Sequence, residues 1–142
     1  MNVLFDTNVV LDVLLDREPH VHASAQALAL VERGEIGGSL CATTVTTLFY
    51  LCDRTLDRRQ AHIHIATLLK LFDIAQVNRM VLANALDTAF ADFEDAVLHE
   101  AARHAECQCI VTRNVRDFAA ASMPVYTPTE FLLVWQKAQG RH

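Results

Sequence analysis

The sequence predicts an α/β domain, a three-layer α/β/α sandwich around a central parallel sheet of four or five strands. Short apolar runs of strand length alternate with longer runs of helical period along the whole chain. That alternation builds a parallel sheet covered by helices on both faces. The chain has 142 residues, 52% of them hydrophobic, which is enough for one real core and too little for two. With only four glycines and three prolines, the composition is that of an ordered globular domain.

The elements follow in order. "NVLF" is the first strand, and "TNVVLDVLL" continues as a helix with Thr7 able to cap it. "DREPH" is a turn in which Pro19 is placed to open the next helix, "HVHASAQALALVERG", which stops at Gly34 with Gly37 and Gly38 close behind. "SLCAT" is the second strand, and "TVTTLFYLCDRTL" a helix despite its β-branched start. "RRQAHIHIATLLKLF" is a helix running into the strand "FDIAQV", and "NRMVLANALDTAF" and "DFEDAVLHEAARHAE" are two helices with a polar break between them. "CQCIVT" is the fourth strand, "RNVRDFAAA" a loop with a short helix, and "PVYT" a fifth strand. "PTEFLLVWQKA" closes the chain as a helix with Pro128 and Glu130 in its first turn. A single domain is expected over 1–138, with 139–142 as a frayed tail.

No repeat, low-complexity tract or bilayer-length apolar run is present, and the N-terminus lacks a basic region followed by a cleavage pattern. A cytoplasmic protein without membrane contact is therefore expected, its four cysteines reduced and buried. Cys107 and Cys109 lie near His99 and His104, but no C-x-x-C pair is present, so core thiols are favoured over a zinc site. The formal net charge of −5 argues against a general nucleic-acid coat. It leaves room for an enzyme whose clustered acids recruit divalent cations that bridge to phosphate.

In parallel α/β sheets the site lies beyond the carboxyl ends of the strands. Acids follow the strands at Asp6, at Asp117 with Thr112 and Asn114 in "TRNVRDF", and at the start of the helix holding Asp92, Glu94 and Asp95. Singly, each reads as a helix cap: Asp6 ahead of its helix, Asp92 with Asp95 three residues on, Asp117 before "FAAA". Together they do not. Two carboxylates about 4 Å apart repel by roughly 4 kcal/mol at an effective dielectric near 20, whereas a cap contributes only about 1 kcal/mol. A divalent cation reverses that sign, and oxygen-only ligands suit Mg²⁺ or Mn²⁺. Asp12 and Asp16, four apart on the first helix, read instead as a solvated structural stripe.

"LFDTNVVLDVLL", "FEDAVLHEAA" and "IVTRNVRDF", in this order and spacing, resemble the three acidic motifs of PIN domains, the nuclease fold of many toxin ribonucleases. The resemblance covers nearly the whole chain. It implies that Asp6, Asp95 and Asp117 are catalytic, metal-binding carboxylates, with Asp92 adding a further carboxylate one helical turn before Asp95. It implies that Thr112 and Asn114 support the site. Arg113 and Arg116 flank it in sequence and are candidates for phosphate contact, or else exposed loop charge. The implied reaction is Mg²⁺- or Mn²⁺-dependent hydrolysis of phosphodiester bonds in single-stranded RNA. The implied setting is a VapC-like toxin, dimerising through helices near "TLFYL" and restrained by an antitoxin protein.

One position departs from the family pattern. Many PIN domains carry a Glu near the start of the helix after the second strand, and Thr47 stands there. Thr47 opens a second reading, a degenerate PIN domain that binds RNA or protein without cleaving, unless Asp92 or Glu94 compensates from across the pocket. A phosphotransfer domain ranks third: it would want an Asp two residues after Asp6 or a Lys ending the last strand, and the chain has Asn8 and "PVYTP".

Overall fold

The structure, a computed structural model, describes residues 1–140. Its strands are β1 (Asn2–Phe5), β2 (Gly37–Cys41), β3 (Asp73–Ala75), β4 (Cys109–Val111) and β5 (Val125–Tyr126). Its helices are α1 (Thr7–Leu14), α2 (Val21–Glu32), α3 (Ala42–Thr55), α4 (Arg58–Leu71), α5 (Arg79–Leu86), α6 (Phe93–His104) and α7 (Pro128–Gln139). A 3₁₀ turn at Val115–Phe118 joins β4 to β5. Gln139 ends α7 and Gly140 is its C-cap, while residues 141 and 142 of the expected tail lie outside the described residues. No helix among the described residues is long and apolar enough to cross a membrane.

The five strands form one all-parallel sheet in the order β3-β2-β1-β4-β5. β1 is central, pairing Leu4 with Ser39 on one side and with Ile110 on the other. Its pleat sorts the core into two layers. Val3 and Phe5 face a cluster that includes Val10, Leu30, Leu48, Leu68 and Phe131, supplied by α1, α2, α3, α4 and α7. Leu4 faces the opposite cluster, with Val81, Ala85, Val97 and Ala101 from α5 and α6. The α/β/α sandwich is thus written in three consecutive residues.

Two local expectations change. The glycines read as helix-stop signals belong partly to the sheet: β2 begins at Gly37, and Gly38 is buried where a Cβ would stand 2.7 Å from Val31 Cγ2 and 2.8 Å from the Phe72 ring. Helix α1 is capped by Asp6, whose Oδ1 accepts the Thr7 N–H at 2.7 Å, and Thr7 is the first helical residue. All four cysteines are free and buried.

Candidate active site

The carboxyl ends of β1 and β4 lie side by side because those strands are sheet neighbours. Asp6 leaves β1 with its backbone N–H still bonded to the Val111 carbonyl at 2.9 Å, so its position is fixed by the sheet. Thr112, the residue after β4, is fully buried and donates its hydroxyl to Asp6 Oδ2 at 2.7 Å. The same oxygen of Thr112 accepts the Asn114 N–H at 3.0 Å, and the Arg113 N–H reaches Asn8 Oδ1 at 3.2 Å. One hydroxyl and one amide therefore tie the loop after β4 to the loop after β1. The Asn8 side chain adds a long contact of 3.4 Å to Asp6 Oδ2.

Beyond Asp6 opens a cavity of about 280 Å³. Asp6, Asn8, Arg17, Thr43, Thr47, Glu94, Asp95 and Asn114 supply its polar wall. Among the described residues, no histidine or cysteine lines it. Among the expected site residues, the structure brings Asp6, Asp95 and Asn114 into this wall, with Thr112 directly behind Asp6. Asp92 is outside the wall and is the N-cap of α6, its Oδ1 accepting the Asp95 N–H at 3.0 Å. Asp117 is exposed in the 3₁₀ turn and also lies outside the wall, yet its charge reaches both Asp6 and Asp95. Arg116 is exposed, and Arg113 faces a different cavity.

The electrostatics register the crowding. Burial pushes the Asp6 carboxyl above the usual range, opposed by the bonds from Thr112 and Thr7, with Asp117 raising it further. Asp95 is pushed up to about 6, first by burial and then by Asp92, Asp6, Asp117 and Glu94. Burial is the first cause for both and repulsion between the acids adds to it, so a cation in the cavity would favour the ionised form of each. Among the described residues, no group of three or more His, Cys, Asp or Glu side chains stands close enough to hold a metal ion by itself. The donors that do line the cavity are carboxylate, amide and hydroxyl oxygens, the set that fits a hard divalent cation.

Thr47 lines the cavity. Its hydroxyl bonds back to the Thr43 carbonyl at 3.1 Å, so α3 contributes no acid there. Glu94, from the opposite wall, does reach the cavity.

Sequence reasoning missed Arg17 and misread Asp12. Asp12 is fully buried: its carboxylate takes Arg17 Nε at 3.0 Å and Arg113 Nε at 2.6 Å, with Arg113 Nη2 at 3.3 Å. The solvated-stripe reading fails because Asp12 falls on the face of α1 turned toward the loop after β4. Asp16 alone is exposed. Nothing in the local pattern marks this pairing, since Arg113 lies 101 residues away.

The sequence matches the family model of the PIN domain over residues 2–116. A search of curated proteins finds no match. Among solved structures, a toxin–antitoxin complex from Klebsiella pneumoniae aligns at TM-score 0.67 and 21% identity, over 89% of this chain and 97% of that one. VapBC2 from Rickettsia felis, bound to a DNA fragment from its promoter, aligns at TM-score 0.69 and 12% identity, over 88% and 97%. VapC20 from Mycobacterium tuberculosis, described as a sarcin-ricin loop cleaving toxin, aligns at TM-score 0.62 and 13% identity, over 76% and 86%.

Proposed function

The chain belongs to the PIN-domain family, and from that premise we propose that it is a divalent-metal-dependent endoribonuclease hydrolysing phosphodiester bonds of single-stranded RNA. We read it as the toxin of a type II toxin–antitoxin pair, acting in the cytoplasm as a homodimer. The observation that carries the reading is the oxygen-lined cavity in which Asp6 and Asp95 are both held above the ordinary carboxylate range. The toxin–antitoxin complexes among proteins of the same fold support the partner.

Asp6, Asp95 and Asp117 are the metal-holding and catalytic carboxylates in this proposal, with Glu94 standing in for the acid that Thr47 lacks. Mg²⁺ or Mn²⁺ bound there supplies charge neutralisation at phosphate and a water of lowered pKa. Thr112 fixes the Asp6 carboxylate through its 2.7 Å hydrogen bond, and Asn114 is fixed in turn through Thr112. Asp92 sets the start of α6, and so the placement of Asp95, by capping it. Arg17 lies in the cavity wall and Arg116 is exposed in the 3₁₀ turn after β4, and in this proposal both offer guanidinium groups to the RNA backbone.

Thr47 favours a second reading, a PIN domain that binds without cleaving, because α3 brings a hydroxyl already bonded to Thr43 where a carboxylate is expected. One experiment separates the two. A mixed-sequence single-stranded RNA is incubated with the purified chain and with Asp6→Asn, in Mg²⁺, Mn²⁺ or EDTA. Cleavage that requires the cation and disappears in Asp6→Asn is expected. Folded protein that binds RNA and never cleaves it would sink the nuclease reading and leave the binding one.

A further inference from the structure

A second cavity, of about 450 Å³, opens on the far side of the Asp12 clamp, lined by Pro19, His20, Ser24, Arg113, Thr127 and Thr129 among others. Two features make it electropositive, the clamped Arg113 and a pair of helix N-termini. Arg113 presents its guanidinium there, 28% exposed and pinned to Asp12 at 2.6 Å. Asp12 is shared with Arg17, so one buried carboxylate faces two guanidinium groups, and the clamp carries one net positive charge. The first turn of α7, twelve residues long, enters the wall through Pro128 and Thr129, and α2, also twelve residues long, enters through His20 and Ala23. Both helices thus direct the positive ends of their dipoles at the same space.

The wall also holds a polar group in want of a partner. Ser24 is fully buried, and its hydroxyl has no hydrogen bond within the described structure. A buried hydroxyl left unpaired costs about 1–3 kcal/mol, and an oxyanion in the cavity would give it an acceptor. Not every donor of the α7 terminus is free: the Thr127 N–H goes to Glu130 Oε1 at 2.8 Å and the Glu130 N–H to Thr127 Oγ1 at 3.1 Å. Thr129, exposed on that turn, keeps its side chain at the cavity.

We propose that this cavity is a phosphate subsite, built by Arg113, Ser24 and the first turn of α7, that holds a backbone phosphate of the RNA strand away from the scissile bond. The inference rests on the nuclease reading for its ligand. Asp12 is the positioning residue that joins the two cavities, since it fixes Arg17 in the acidic wall and Arg113 in the phosphate wall. A strand crossing both would meet the carboxylates at one phosphate and Arg113 at another, with register set by the clamp.

Neither arm of the test needs cleavage. In EDTA, inorganic phosphate is titrated into ¹⁵N-labelled protein. Saturable amide shifts clustered at Ser24, Arg113 and Thr129 are expected, and they should vanish in Thr129→Glu, which sets an acid at an exposed point of the mouth. No saturable shift at these residues overturns the site. In the second arm, binding of a fluorescent single-stranded oligouridylate is followed in EDTA against salt. Loss of one phosphate contact in Arg113→Met should lower the slope of log Kd on log salt by about 1. Thr129→Glu, which leaves the Asp12 clamp intact, should weaken binding in the same direction. Phosphate binding with oligouridylate affinity unmoved by either variant would overturn the RNA strand as the source of the anion. An RNA that binds this way and is never cut would fail the nuclease proposal and leave the subsite standing.

Discussion

Asp6 can be read from sequence as a helix cap or as a metal ligand, and the structure shows why one residue supports both readings. One carboxylate oxygen caps α1 through Thr7, while the other takes the Thr112 hydroxyl at the edge of the cavity. Thr112→Val keeps the shape and deletes that bond. If Asp6 holds metal, the change should cost about 10- to 100-fold in metal affinity or cleavage rate, as loss of an orienting partner does elsewhere. Titration of the rate against Mg²⁺ would read it, and an unchanged curve would remove Thr112 from the site. Asp95 carries a pH prediction. Its folded pKa, about 6, lies above the ordinary value, so the folded state binds its proton more tightly than the unfolded chain does. Ionisation of Asp95 therefore opposes folding: without metal, its contribution to stability falls as pH rises from about 4 to 6 and stays lost above. Asp95→Asn should raise the Tm of the metal-free protein by a few degrees near neutral pH and leave it unchanged near pH 4. The gain is held to about 1 kcal/mol by solvent screening of a half-exposed group. Thermal melts at the two pH values in EDTA decide it, and equal shifts at both would refute the charge argument.

At the scale of elements, most of the alternation of strands and helices is legible, and the failures have local causes. Gly37 and Gly38 look like helix punctuation because glycine commonly ends helices. Gly38 instead serves the sheet, where Val31 and Phe72 occupy the space a Cβ would need. Gly38→Ala should destabilise by about 1–3 kcal/mol through overpacking, measured by urea unfolding. A neutral result would mean that Val31 and Phe72 can move aside. Helix α7 was readable to its cap, since Thr127 and Glu130 form a complete capping box around Pro128. The clamp on Asp12 was not readable, because it joins α1 to the loop after β4. Removing the carboxylate alone, as in Asp12→Ala, leaves two partly exposed guanidinium groups unpaired and should cost about 1–3 kcal/mol in urea unfolding.

Over the whole molecule, the strand order β3-β2-β1-β4-β5 decides the site. It brings β1 and β4 together, although 103 residues separate Phe5 from Cys109 in number, and it lays the start of α3 beside Asp6 through the Thr7–Thr44 hydroxyl bond at 3.0 Å. Helix α7 is anchored to this frame by Phe131, which is fully buried in the layer that holds Phe5 and Val9. Phe131→Ala should cost about 3–5 kcal/mol in stability. It should also loosen the wall of the phosphate cavity, which α7 forms.

Fold class, the parallel sheet and the family were legible before folding, because these rest on hydrophobic period and on motifs contiguous in the chain. The sequence named Asp6, Thr112, Asn114 and Asp117 because they follow parallel strands, and Asp95 and Asp92 through the acidic helix motif. Folding in three dimensions chose the cap reading for Asp92, left Asp117 and Arg116 outside the cavity wall, and turned Arg113 to a second cavity. The structure alone revealed Arg17 in the wall and the burial of Asp12. Those outcomes depend on which way a side chain points and on what lies opposite it from a distant segment. Local propensity carries no record of either; packing across the sheet sets both.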